Sequence, residues 1–436
     1  MTNGRRLHLG LNAPPLGSSP YGWRRAGIDP LSSATGEFYA RIAVEAERGL
    51  FDALFLNDQP TLHPGWETSP APLRLDPIVA LATAAQHTRW IGLVPTISTT
   101  WNHPYNLARS IASLDRASHG RAGWNVVTSY NPKIAANFGL SRLPSKQDRY
   151  ARAAEFIDVV ADLWRTWAPD AIIADKQTGV FTRPGGVRLV EHHGAYFTVH
   201  GGATVPPSEQ GLPVLFQAGG SPEGIALAAR YADAAFVSTP TLESALEYRA
   251  RAAAAATARA TDRPRLLVLS GAALTLASTD EEALRHRIEL EGSDTDAVGV
   301  GHIAARLGIP IAALDLDSPI PLDLVDVEAR RRDDSEGFVN SIVHVARTGR
   351  PLREILRTGV GHLAVIGSPE KVADIFEEWF RADAVDGFNL HFDVVEEGLP
   401  AFVDEVVPLL RKRGIYRHAY DGGTLRSHLG LPTPQW

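Results

Sequence analysis

Arg121-Ala122-Gly123-Trp124-Asn125-Val126-Val127-Thr128-Ser129, followed by Asn137-Phe138-Gly139 and then Asp148-Arg149-Tyr150, decides how this chain is read. The apolar run from Gly123 to Val127 stops abruptly at two hydroxyl residues, Thr128 and Ser129. Such a run is expected to be a buried strand. A buried strand that ends in polar side chains fits a parallel barrel, where chemistry sits at the carboxy-terminal strand ends.

Comparable runs recur on both sides of this stretch, at Leu7 to Ala13, Phe51 to Leu56, Ile91 to Ile97, Pro213 to Ala218, Ala234 to Val237, Leu266 to Leu276 and Phe388 to Phe392. With Gly123 to Val127 they make eight strand candidates, most of them followed by an amphipathic segment. That alternation predicts an α/β chain folded as a (β/α)8 TIM barrel. Phe38, Ile42, Ala46 and Gly49 share one helical face, Tyr150, Ala154, Ile157, Ala161 and Trp164 a second, and Leu399, Phe402, Val406 and Leu409 a third. The alanine run at Ala252 to Ala256 is read as exposed helix, alanine being the best helix former. Residues 165–212, rich in Gly, Pro and His, and residues 293–335, with Pro310, Pro319 and Pro321, do not fit a minimal barrel. Both are expected to be loop-face insertions in one barrel domain spanning 1–436.

At 436 residues and 44% hydrophobic, the chain can bury a large core. A net charge of -7 without a long basic run argues against a nucleic-acid surface. With no cysteine, disulfides, thiolate nucleophiles and thiolate metal sites are excluded. The apolar run behind Arg5-Arg6 is interrupted by Asn12 and Pro14 and is too short for a signal peptide. The longest apolar stretch, Leu266 to Ala277, falls short of the ~20 residues of a membrane helix. A cytoplasmic protein with no membrane partner is expected.

Polar side chains converge from three consecutive strand ends. Asp58 closes the second strand and is open between general base, cofactor hydrogen-bond acceptor and turn cap; Thr96 and Ser98 end the third; Thr128 and Ser129 end the fourth. His103, after the third strand, lies on the same face, as a chemical group or as a helix start. Gln217-Ala218-Gly219-Gly220-Ser221-Pro222-Glu223 reads as strand, glycine turn and helix start, with Ser221 at the cap and Pro222 at the first position. Exposed amides there suit a phosphate, and a well-capped helix without ligand accounts for the pattern equally well. Lys146 and Arg149 add candidate positive charge, with Tyr150 four residues after Lys146. His192-His193 and His200 lack carboxylates at ligand spacing, so no metal site is expected. Trp23, Phe55, Trp101 and Trp124 could wall a pocket or pack a core. No GxGxxG fingerprint or Walker loop is present, so any reduced cofactor comes from outside the chain. A barrel glycosidase needs two positioned carboxylates, which the Thr128-Ser129 strand end does not supply.

Beyond these features, the wording of the chain closely resembles one family nearly end to end. The resemblance is carried by the opening stretch, by Glu47 to Leu56, Ala108 to Asp115, Gly194 to Val199, Gln217 to Ser221, Asp386-Gly387-Phe388 and Val406 to Leu410. It is similar to the flavin-dependent monooxygenases of the bacterial luciferase superfamily typified by nitrilotriacetate monooxygenase component A and dibenzothiophene sulfone monooxygenase. The resemblance implies a two-component enzyme: it takes reduced FMN (FMNH2) from a separate NAD(P)H:flavin reductase, forms a flavin C4a-(hydro)peroxide with O2, and works as a homodimer or homotetramer. It implies a small heteroatom-containing organic substrate, with C-S, C-N or C-halogen cleavage or opening of a heterocycle, riboflavin included. Carried over by position, it places flavin contacts at Asp58, Thr96, Tyr150, Gly220 and Ser221, with Thr128 and Ser129 near the isoalloxazine. Relatives commonly have His where this chain has Lys146, and relatives acting on aromatic sulfones have a His shortly before their Trp-Arg pair, where Tyr21-Gly22-Trp23-Arg24 follows Pro20. The rival readings are a deazaflavin (F420)-dependent oxidoreductase on the same barrel and a non-catalytic flavin-binding protein.

Overall fold

A computed structural model describes residues 5–14, 17–19, 21–62, 73–129, 131–258, 264–290, 295–325 and 336–434. Pro20 and both ends of the expected 293–335 insertion lie outside these residues. The strands are β1 (His8–Asn12), β2 (Ala53–Leu56), β3 (Gly92–Ser98), β4 (Gly123–Val127), β5 (Val190–His193), β6 (Thr198–Gly201), β7 (Val214–Ala218), β8 (Ala234–Val237), β9 (Leu267–Leu276), β10 (Leu363–Gly367) and β11 (Gly387–Phe392). Eight of them close a parallel barrel in the order β1, β2, β3, β4, β7, β8, β9, β11 and back to β1. Every expected barrel strand is present within a residue or two of its expected bounds.

Two features were not expected. β5 and β6 form an antiparallel hairpin within residues 165–212. β10 pairs with the last five residues of β9, Ala272 to Leu276, while β8 pairs with the first four, Leu267 to Val237's partner Ser270. β9 is therefore long because it serves two neighbours in turn along one edge. The buried face of the helix Lys146–Trp164 also differs from the expected one: it centres on Ala153, Phe156, Val160 and Leu163, with Tyr150, Ala154 and Ala161 on its margin. The expected stripe follows the right period with its centre displaced, because Trp124 and Trp164 draw Phe156 inward.

Strand side chains alternate between barrel interior and helix layer. The lower interior is apolar: Ala53, Phe55, Val94, Val214, Phe216, Ala234 and Leu269 pack with Leu425 and Leu429, which close the amino-terminal end of the barrel. That end is also tied by carboxylates. Asp52 accepts the Leu9 N–H at 2.8 Å, Asp115 that of Ala122 at 3.0 Å, Asp233 that of Leu215 at 2.9 Å and Asp386 that of Val268 at 2.9 Å. Filling one end with apolar side chains and anchored aspartates leaves the other end of the barrel to carry function. Among the described residues, no helix is long and apolar enough to cross a membrane.

Candidate active site

At the carboxy-terminal ends of β2, β3 and β4 a cavity of about 420 Å³ is lined by Asp58, Thr96, Ser98, Trp101, Ser129 and Phe138, with Asp76 and Asn102 at its edge. Ser129 is its most constrained member. It sits in the left-handed region at φ 45°, a conformation that costs a non-glycine residue of order 1–3 kcal/mol. Its hydroxyl donates to Ser98 Oγ at 2.7 Å and accepts from Trp101 Nε1 at 2.9 Å. Trp101 stacks on Phe138 with centroids 5.2 Å apart. The loop carrying Trp101 is fixed in turn: Thr100 Oγ1 donates to the Thr128 carbonyl at 2.6 Å, and the Arg152 guanidinium donates to the carbonyls of Thr99 and Asn102. Asp58 is pushed up from the usual carboxylate range, first by burial and then by Asp76, with Arg74 opposing.

The upper interior is polar and incompletely satisfied. Asn125 Nδ2 donates to Thr96 Oγ1 at 3.0 Å, but Asn125 Oδ1, Asn12 Oδ1, both polar atoms of Asn389 and His391 Nε2 are buried without a hydrogen-bond partner. A buried polar group left unpaired costs about 1–3 kcal/mol, so a cluster of them marks a place completed by something that binds. Asn12, Asn125, Asn389 and His391 were not singled out from sequence. Their signal is polar residues at every second position of an otherwise apolar strand, as in Gly387-Phe388-Asn389-Leu390-His391-Phe392.

A second cluster lies at the turn after β7. Ser221 caps the helix Pro222–Tyr231, accepting the Gly224 N–H at 3.2 Å, and the Tyr150 hydroxyl is 3.5 Å from Ser221 Oγ. Lys146 Nζ lies 2.8 Å from the Glu223 carboxylate in the first turn of that helix, which holds Glu223 below its usual range against the opposing effect of burial. The start of the helix Glu336–Ala346 meets the same turn. A Cβ on Gly220 would come 3.4 Å from Gly337 Cα, so two backbones pass closely and two helix amino termini face one spot. The structure thus brings together Lys146, Tyr150, Gly220 and Ser221, and separately Asp58, Thr96, Trp101 and Ser129.

Other expected site residues are not brought to the cavity. His103 is an exposed helix cap whose Nδ1 faces the Tyr105 N–H at 3.3 Å, so the helix-start alternative describes it. Phe55 is 2% exposed and packs at 4.8 Å on Phe216 in the barrel core. Trp124 faces the helix layer. Trp23 sits in a 3-10 turn after β1 with Arg24 over its ring, and it does not line this cavity. Thr128 contributes its carbonyl to the loop contact described above. His192 pairs with Glu155 at 3.0 Å and His200 with Glu191 at 3.1 Å, both on the hairpin margin.

Residues 24–386 match the model of the luciferase-like monooxygenase family. The chain belongs to the luciferase-like monooxygenases. Within that family it is 36% identical to N-acetyl-S-(2-succino)cysteine monooxygenase of Bacillus subtilis (strain 168), over 99% of this chain and 98% of the relative. It is also 36% identical to nitrilotriacetate monooxygenase component A of Aminobacter aminovorans, over 99% and 98%. A riboflavin lyase solved with modified FMN and riboflavin superimposes with a TM-score of 0.82 at 31% identity, covering 98% of this chain and 97% of the other. This luciferase-like monooxygenase is thus a flavin-dependent enzyme.

Proposed function

We propose that this monooxygenase binds reduced FMN, delivered by a separate NAD(P)H:flavin reductase, and uses dioxygen to oxidise a small heteroatom-containing organic compound. The observation that carries the reading is the pair of polar clusters at one end of the barrel, one suited to a phosphate and one to a polar ring system. FMN has both parts. At the β7 turn, amides at two helix starts, the Tyr150 and Ser221 hydroxyls and the Lys146 ammonium offer the donors a phosphate requires. At the β2–β4 cavity, the carboxyl of Asp58 and the hydroxyls of Thr96, Ser98 and Ser129 offer hydrogen bonds to the edge of a heterocycle. The unpartnered atoms of Asn12, Asn125 and Asn389 agree with a bound group in the barrel mouth. Reduced FMN, when bound, supplies the electrons that activate dioxygen.

The chain's own residues bind and orient. Trp101 and Phe138 stack to form an apolar wall beside Ser129. Ser129, whose proton goes to Ser98 and which accepts from Trp101, keeps one lone pair that can accept a hydrogen bond from a bound ring without reorganisation. Asp58, raised by burial, can hold a proton at its carboxyl oxygen and give it up to a neighbouring acceptor. The component-A designation of a relative at 36% identity supports a separate electron-supplying partner.

The test is to supply reduced FMN through a generic flavin reductase, with isotopically labelled dioxygen and a panel of heteroatom compounds, and to read label incorporation by mass spectrometry. Incorporation dependent on FMN is expected; turnover that needs reduced deazaflavin in place of FMN and consumes no oxygen would instead indicate a deazaflavin oxidoreductase. Ser221→Asp should weaken FMN by about tenfold or more while changing riboflavin little, because it sets like charge against the phosphate. Equal weakening of both flavins rejects the phosphate assignment.

A further inference from the structure

Across the barrel from Ser129, β8, β10 and β11 bring three rings together. His362 immediately precedes β10, His391 lies on β11 and Phe236 on β8. The two imidazoles stack with centroids 4.7 Å apart and planes 21° apart, and Phe236 lies 5.6 Å from His362 and 6.0 Å from His391, nearly parallel to both. Room for this stack is made by Gly271 of β9, where a Cβ would collide with the His362 ring. Ser238 Oγ stands 3.4 Å from His362 Nδ1 and fixes one ring edge. His391 Nε2 has no partner although the atom is buried. Nothing in the cofactor assignment above employs these rings.

Burial pushes His362 down to about 4 and His391 well below the usual imidazole range, the latter also through His362. Both are neutral at pH 7, and a neutral imidazole offers one N–H and one lone pair. A carboxylate on His391 would bury its charge where burial and a second neutral imidazole 4.7 Å away are the only influences on the ring, with no cation to offset the lost solvation. An uncharged acceptor needs only the N–H.

We propose that His391, aligned by His362 and Phe236, is a substrate-binding and specificity-determining residue that takes an uncharged hydrogen-bond acceptor: an amide or lactam carbonyl, a sulfoxide or sulfone oxygen, or a pyridine-type nitrogen. The inference rests on the oxygenase reading for its meaning as substrate recognition. The aromatic surroundings favour a planar group next to that acceptor, since offset stacking adds about 0.5–1.5 kcal/mol beyond burial. β4 and β11, which carry the Ser129 and His391 sides of the mouth, stand four places apart around the eight strands.

The experiment uses the full chain loaded with FMN and two matched probe pairs, benzamide with benzoate and diphenyl sulfone with benzenesulfonate, titrated by calorimetry. The parent is expected to bind the neutral member of each pair about tenfold more tightly. His391→Phe keeps a ring and removes the polar atom. It should weaken the neutral probes by about tenfold, leave the FMN Kd within about twofold, and abolish the preference. His391→Gln, which restores an N–H, should recover part of the loss, and His362→Phe should weaken the same probes less. Where a neutral probe is turned over, the change should fall on KM rather than kcat. Benzoate bound as tightly as benzamide, no neutral probe bound by the parent, or His391→Phe without effect overturns the assignment. Binding as expected without oxygen incorporation upholds the assignment and overturns the oxygenase reading alone.

Discussion

The two ends of the barrel treat polar groups in opposite ways. At the amino-terminal end, carboxylates anchor strand amides and meet buried arginines: Asp52 with Arg417, Asp233 with Arg426 at 3.2 Å and Asp386 with Arg249 at 2.8 Å. Charge is matched by charge at these three carboxylates, and the arrangement ties the carboxy-terminal segment to the barrel floor. At the carboxy-terminal end, charged groups such as Asp58 and the Lys146–Glu223 pair stand among neutral hydroxyls, amides and imidazoles, the amides of Asn12, Asn125 and Asn389 and the His391 ring leave atoms without a partner, and one serine is held in a strained backbone conformation. One end spends its polar groups on stability and the other keeps them available for a ligand.

The largest expected effect comes from breaking the closed end. Arg417→Ala leaves the Asp52 carboxylate buried beside His8 alone and should cost about 3–5 kcal/mol in chemical denaturation. A loss below about 1 kcal/mol would mean that the pair is dispensable. At the open end the pattern should invert. Ser129→Ala should lower oxygenation by about 100-fold or more, about 2.7 kcal/mol in the barrier, while stability changes little. A parallel fall in stability and activity would erase the contrast.

A third prediction separates the two ends by pH. Burial pushes Asp115 up to about 7, against hydrogen bonds from Ser208, Ala122 and Gln210. The folded protein then keeps a proton that the unfolded chain releases near 3.8. The stabilisation is complete below that value and drains away as pH rises through about 7. Asp115→Asn should flatten this decline in melting temperature between pH 4 and 7; an unchanged slope assigns the pH dependence to other groups. The smallest effects belong to the Lys146–Glu223 pair, which is partly exposed. Lys146→Ala should raise the Kd of reduced FMN by about threefold to tenfold and Glu223→Gln should lower it, neither changing stability by more than about 0.5 kcal/mol. Opposite signs for the two variants are what an anion site requires, and equal signs would remove the pair from it.

Strands were readable wherever apolar runs were bounded by turns, because burial on both faces of a parallel sheet leaves few polar letters. β10 escaped notice because Leu363 to Gly367 is a short run in a region without other strand signals, and its partner is reached only across the long excursion that follows β9. Residues at strand ends, such as Asp58, Thr96 and Ser129, were readable as a polar rim. Asn389 and His391 were not, since they lie inside a run whose apolar neighbours dominate, and only the strand period turns them into the barrel interior. His103 shows the reverse: position after β3 put it on the correct face, but a side chain that caps its own helix is engaged locally. Phe55 likewise points into the barrel, one layer too deep to wall the mouth.

The doubled length of β9 has a consequence for how this scaffold can be altered. The chain leaves the barrel at Leu276 and returns at Leu363 to lie on the same strand it left, so departure and re-entry share one support. The eight-strand closure is complete without β10, through β8, β9 and β11. The intervening segment is thus a cassette whose two ends share one rail, with side contacts to the β7 turn, Ser238 and Asp393. Its replacement by a counterpart from another member of the family, cut at those two residues, would exchange His362 and everything it brings against Phe236 while every barrel register stayed in place.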